Sequence, residues 1–235
     1  MKRLMWFLLL TFTLNSELIT LNCLYATPST QIWNPSTDIQ GLKTWHLGID
    51  DYFSVSENET KPYQFATDVN LTYGLLKNFE VGVDIFEPSS NPFQFNAKYG
   101  LPENGKRPAL AVGGMNLGTK ADVTNYNILY AVAAKTFKPL PRISLGVYMG
   151  NDKLLVDEFG EKANTGLILS LDKAISDKVW ASIDYASGKS WYGQTSFGAS
   201  YLFAPNTSII FGYVIYNNDK VNINNQVTTQ LDINF

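Results

Sequence analysis

The sequence predicts an all-β fold, a transmembrane antiparallel up-and-down β-barrel of about 12 strands, with 10–14 the range its uncertain boundaries allow. Three observations carry this. Segment after segment alternates apolar and polar residues with a period of two, as a strand with one greasy and one wet face does. The connections between these segments alternate between short and long. Mean hydropathy is close to neutral, and after residue 26 no apolar stretch approaches the ~20 residues of a spanning helix.

Residues 1–26 are expected to be a cleaved secretory signal peptide. Lys2 and Arg3 are followed by the uncharged apolar run Leu4 to Leu14. Ala26 is a small residue suited to cleavage, with Leu24 at the third position back. Asn15, Ser16 and Glu17 interrupt the run before Leu18-Ile19-Thr20-Leu21 resumes. A retained anchor is the rival reading, but Glu17 inside such a helix is costly and the clean run is short. Lipidation of Cys23 would call for small residues before it, and Asn22 stands there.

Cys23 is the only cysteine and leaves with this segment, so disulfides and thiolate metal sites are excluded from the mature chain. His46, the single histidine, cannot supply a histidine cluster, and no cofactor is expected. Removing Lys2, Arg3 and Glu17 from 18 basic and 21 acidic residues leaves 16 and 20, a net −4. With no basic stripe, nucleic acid is not an expected partner.

Residues 27–43, rich in Pro, Ser, Thr and Gln, read as an N-terminal lead-in that lies partly inside the barrel; residues 44–235 form the barrel itself. Trp45, Leu47, Ile49 and Phe53 alternate with His46, Gly48, Asp50 and Tyr52, and Asp51 breaks the apolar face. Phe65, Thr67, Val69, Leu71 and Tyr73 oppose Ala66, Asp68, Asn70 and Thr72. Phe79, Val81, Val83 and Ile85 oppose Glu80, Gly82 and Asp84. Phe93, Phe95, Ala97 and Tyr99 oppose Gln94, Asn96 and Lys98.

The stretch from Pro108 to Gly118 is Ala- and Gly-rich with ambiguous facing, and Tyr126 to Phe137 is apolar on both faces. Alternation returns at Ile143–Met149, with Arg142 on the polar side, and at Thr165–Leu171, with Asp172. It continues at Val179–Tyr185, with Asp184, then at Thr195–Phe203 and Ile209–Ile215. The last strand places Val227, Leu231, Ile233 and Phe235 opposite Gln226, Thr228, Gln230, Asp232 and Asn234.

Connections such as Leu76–Asn78, Lys138–Pro141 and Ala204–Asn206 are short. Ser56–Gln64, Thr119–Asn125 and Asp152–Lys162 are longer and more polar. Outer-membrane barrels have short periplasmic turns and longer outside loops, so both termini are expected at the periplasmic rim. A soluble all-β protein alternates too. A soluble barrel of this size, however, would have to fill a wide interior with Phe, Leu and Ile.

The ending at Phe235 resembles the C-terminal strand of Gram-negative outer-membrane β-barrels, where a final Phe belongs to the assembly signal. The hairpin Thr72-Tyr73-Gly74-Leu75-Leu76-Lys77-Asn78-Phe79-Glu80-Val81-Gly82-Val83 resembles a periplasmic hairpin of porin-like proteins. The resemblance implies residence in the bacterial outer membrane. Its partners would be membrane lipid and, through the C-terminal strand, the barrel-assembly machinery.

The facing puts Asp50, Asp68, Glu80, Asp84, Asp172, Asp184 and Asp232 on the inner wall against Lys98, Arg142 and, on a strand of ambiguous facing, Lys135. An open lumen of that charge favours cations and small polar solutes over uronates or phosphates. A lumen plugged by its own paired charges is equally compatible with the pattern. A membrane-embedded hydrolase is the alternative. The lipase resemblance would need His-x-Ser, yet Leu47 and Gly48 follow His46; the protease resemblance would need Asp-x-His, yet Thr44 stands there. A third reading, a structural or binding barrel, would depend on its loops, and the longest, Asn151 to Lys162, is modest and mixed in charge.

Overall fold

The computed structural model describes residues 29–55, 57, 62–222 and 224–235; the expected signal peptide lies outside the described residues. The strands are β1 (Trp45–Ser54), β2 (Phe65–Leu76), β3 (Phe79–Glu87), β4 (Phe93–Leu101), β5 (Ala109–Gly118) and β6 (Ile128–Thr136). They continue with β7 (Arg142–Met149), β8 (Thr165–Ala174), β9 (Val179–Ala186), β10 (Gln194–Ala204), β11 (Thr207–Tyr216) and β12 (Gln226–Asn234). Each pairs antiparallel with its sequence neighbours, and β1 pairs with β12 to close the barrel. At this seam the Trp45 amide donates to the Phe235 carbonyl at 2.6 Å, and the Phe235 amide donates back at 3.0 Å.

Twelve strands at a spacing near 4.8 Å, tilted by about 40°, give a backbone radius of about 12 Å. Side chains alone fill such a bore poorly, so what else occupies it decides what the barrel can do. The turn from β2 to β3 is tight: Asn78 adopts φ 66°, a left-handed conformation that Asn tolerates better than most residues. On the other rim the β7–β8 connection runs from Gly150 to Asn164.

The outer surface is apolar. On β7, Ile143, Leu145, Val147 and Met149 are 41–56% exposed, while Ser144, Gly146 and Tyr148 between them are buried. The same rule exposes Leu167, Leu169 and Leu171 on β8 and Phe197, Tyr201 and Phe203 on β10. A continuous belt of this kind is stable against acyl chains and not against water. Aromatic pairs mark its edges. Trp45 and Tyr73 lie 4.3 Å apart at one rim, and Phe53 and Phe65 lie 6.4 Å apart at the other. The outward Asp51 accepts a 2.6 Å hydrogen bond from Thr67, its register partner on β2.

The two stretches of ambiguous facing have a physical explanation. On β5, Ala109 and Ala111 are buried while Leu110 and Val112 face out. A register shift between Phe95 and Ala97 on β4 then brings Met115 and Asn116 to the lumen. On β6, Ile128, Tyr130 and Val132 point inward, where they pack with Tyr148, Leu155, Ile168, Ala186 and Tyr192. That inner wall is apolar because Leu155 and Tyr192, from two outer loops, fold back onto it.

Residues 29–41 lie within the barrel. Thr30 and Pro35 bridge the arms of a turn, and Gln31, Ile32, Asn34, Ser36, Thr37 and Gln40 are buried. Asp38 reaches Arg142 on β7, Ile39 faces Gly100 on β4, Gln40 meets Glu80 on β3, and Gly41 crosses Gly74 on β2. The segment thus sweeps along the short-turn end of the lumen before entering β1.

Candidate functional site: the barrel lumen

The inward charges fall into two groups. The first holds the N-terminal segment. Asp184 receives the successive amides of Ile32, Trp33 and Asn34 on one oxygen at 2.8, 2.9 and 3.2 Å, and the Ser182 hydroxyl on the other at 2.7 Å. Three consecutive N–H groups converging on one atom form an anion-binding nest, here filled by the barrel's own carboxylate.

Arg142 donates in a fork to both oxygens of Asp38 at 2.8 and 2.7 Å, and its Nε donates to Asp172 at 2.9 Å. Asp172 also accepts from Gln31 at 2.8 Å and from the Trp180 indole at 3.3 Å. Glu80 accepts the Gln40 amide at 2.6 Å and the Ser29 hydroxyl at 2.7 Å, and its salt bridge to Lys98 measures 3.3 Å. Lys98 donates to the Ser29 carbonyl at 3.0 Å. Gln230 on β12 donates to the Ile32 carbonyl at 2.9 Å. Glu80, Lys98, Arg142 and Asp184 are each bound to the lead-in.

Inner-face glycines make room for this segment. A Cβ on Gly74 would lie 1.9 Å from the Gly41 carbonyl oxygen, and one on Gly100 would lie 2.8 Å from the Ile39 side chain. Gly198 and Gly212 give similar clearance to Ile32, at 3.0 and 3.3 Å.

The second group faces what remains open. A cavity of about 350 Å³ lies between the lead-in and the wall of β1 to β5. Asp50, Asp68 and Asp84, from three adjacent strands, line it together with Asn70, Asn96, Thr67 and Thr72. Asp50 and Asp68 are direct register partners, although like charges opposite one another destabilise a sheet. Asn96 donates to both oxygens of Asp84 at 3.0 and 2.9 Å, and Asn70 makes a long 3.4 Å contact with Asp50. Among the described residues, none of the three carboxylates is in a salt bridge with a Lys, Arg or His. Trp33, Tyr52, Tyr130, Trp191, Tyr192 and Tyr216 line the cavity as well.

His46 is 1% exposed, with Nε2 3.3 Å from Asp232 and Nδ1 3.2 Å from Asn234. Ser208 donates to Asp232 at 3.3 Å, so its hydroxyl is directed to the carboxylate and not to the imidazole. A nucleophile activated by His46 would need the opposite order. Phe235 closes the seam with 61% of its surface exposed on the outside.

The sequence predicts the lead-in partly inside the barrel, but not its partners on the wall or the gathering of aromatics around Trp33. The signal available for them was an isolated Trp in a polar stretch, together with glycines at inward positions of β2, β4, β10 and β11.

No protein-family model matches the chain, and no curated protein matches it in sequence. Solved structures share its fold. A KdgM porin superposes with a TM-score of 0.56 at 10% identity, over 81% of this chain and 98% of its own. The KdgM porin in complex with disordered oligogalacturonate gives 0.55 at 7% identity, over 81% and 98%. A NanC porin gives 0.52 at 9% identity, over 80% and 98%. The apolar outer belt and the closed sheet are those of a membrane-spanning β-barrel, and the chain shares its fold with these porins, with both ends of the sheet's chain path at the same rim.

Proposed function

We propose that this barrel is a passive channel for small polar solutes that prefers cations and is narrowed by its own N-terminal segment. One observation carries the reading: Asp50, Asp68 and Asp84 face a shared cavity without a basic partner among the described residues. Carboxylates in a lumen with low-dielectric walls raise the local concentration of cations and repel anions. One of the similar porins was solved with an oligogalacturonate, a polyanion. Here the inward bases Arg142 and Lys98 are engaged with Asp38, Asp172 and Glu80, which argues against a comparable anion track. Membrane lipid is the surrounding partner, and recognition by the assembly machinery would run through β12 and Phe235.

Reversal potentials in planar bilayers under a KCl gradient test the proposal. Wild-type protein should be cation-selective, and Asp68→Asn combined with Asp84→Asn should move the potential towards zero. Anion selectivity, or a cation preference indifferent to both substitutions, would refute it.

A further inference from the structure

The cavity has two unlike walls. Asp50, Asp68 and Asp84 form one. The other is aromatic and centred on Trp33, whose ring lies edge-on to Tyr52 at 5.5 Å, to Tyr216 at 5.9 Å and to Trp191 at 6.2 Å. Asp50 and Tyr52 join the walls, because they are alternate residues of β1 on the same face, about 7 Å apart along the strand.

Asp50 is only 9% exposed, yet its Oδ1 has no hydrogen-bond partner among the described residues, and neither has Oδ1 of Asp68. A buried carboxylate with one oxygen unpaired and no counter-ion is unfavourable, and two facing each other are more so. A bare metal ion is a poor match. Among the described residues, no three His, Cys, Asp or Glu side chains are grouped to hold one, and Asn70 and Asn96 turn their amide N–H groups to the carboxylates. A positive charge carried on a compact hydrocarbon body suits both walls. Its charge would meet the carboxylates, and its polarised C–H groups would lie on the aromatic faces.

We propose that the cavity is a binding site for a small organic cation, a primary or quaternary ammonium on a compact apolar body. Asp50 and Asp68 take the charge, and Trp33 and Tyr52 take the carbon groups around it. The volume of about 350 Å³ is within the range of small-molecule pockets. The inference rests on the cation preference proposed above and gives it a substrate class.

Calorimetric titration of the full-length protein in detergent, with choline chloride against sodium chloride at matched ionic strength, provides the test. Choline should bind saturably and sodium should not. Asp50→Asn and Asp68→Asn should each weaken choline by about tenfold, and Tyr52→Leu by about fivefold. Trp33→Leu alters the docked segment too, so Tyr52→Leu is the cleaner aromatic variant; circular dichroism checks that each variant keeps its barrel. Choline heats equal to those of sodium, or choline binding unchanged in both Asp50→Asn and Tyr52→Leu, would overturn the inference. Cation-selective conductance without choline binding would sink this site and leave the channel standing. Choline binding in a barrel that conducts nothing would do the reverse.

Discussion

Replacing Asp184 with Ala isolates what keeps the lead-in docked. The substitution leaves three buried amides, those of Ile32, Trp33 and Asn34, without their acceptor. An orphaned buried donor costs about 1–3 kcal/mol, so three set a lower bound of about 3 kcal/mol. Water from the neighbouring cavity would offset part of any larger figure. A loss of about 3 kcal/mol shifts the balance between docked and released by roughly a hundredfold. The grips at Asp38–Arg142 and Gln40–Glu80 are untouched, so release should be confined to the turn around residues 30–35. Amide hydrogen exchange at residues 31–34 should speed up by about that factor, and single-channel conductance should rise as the turn leaves the bore. Asp184→Asn, which keeps an acceptor oxygen, should show a smaller effect. Unchanged exchange together with unchanged conductance in Asp184→Ala would refute the view that this carboxylate holds the segment in place.

Other outcomes follow from neighbouring contacts. Gly74→Ala should lower the urea midpoint of unfolding by an amount equivalent to about 1–3 kcal/mol, because its Cβ would collide with the Gly41 backbone and not with a side chain that can swing away. Arg142→Ala strands Asp38 and Asp172 beside each other and should cost about 3–5 kcal/mol of stability, read by the same melt. At the β4–β5 connection, a hydrogen bond from Lys135 holds the Glu103 carboxyl below its ordinary range. The contribution of this pair is therefore present above the ordinary carboxylate value and is lost as pH falls through the lowered one. A Glu103→Gln/Lys135→Gln double-mutant cycle should give a coupling at pH 7 that vanishes in strong acid.

Strand order, facing and the inside–outside assignment were legible because lipid and water impose opposite demands on alternate residues. Ile143 and Ser144 need no tertiary information to be told apart. Even the Glu80–Lys98 pair is implicit in a short hairpin register, since the two residues are direct partners on β3 and β4. The fate of the lumen was not legible. Residues 29–44 carry no period, so nothing local says that Ile32 nests on Asp184 across the bore. β6 misled for a related reason: its inward Tyr130 and Val132 are apolar to suit Leu155 and Tyr192, partners contributed by loops far away in sequence. Pattern reports which medium a face meets. It does not report which distant segment arrives to meet it.

The grip on the lead-in has a consequence for the chronology of folding. Ile32 is 152 residues from Asp184 and 198 from Gln230, so its partners are in place only after nearly all the strands have joined the sheet. Contacts of such separation carry a large closure entropy and form late. The segment must therefore already be inside the curling sheet, or pass in through its mouth at the short-turn rim, before the last hydrogen bonds are made. In this protein, narrowing of the lumen and barrel maturation are parts of the same event.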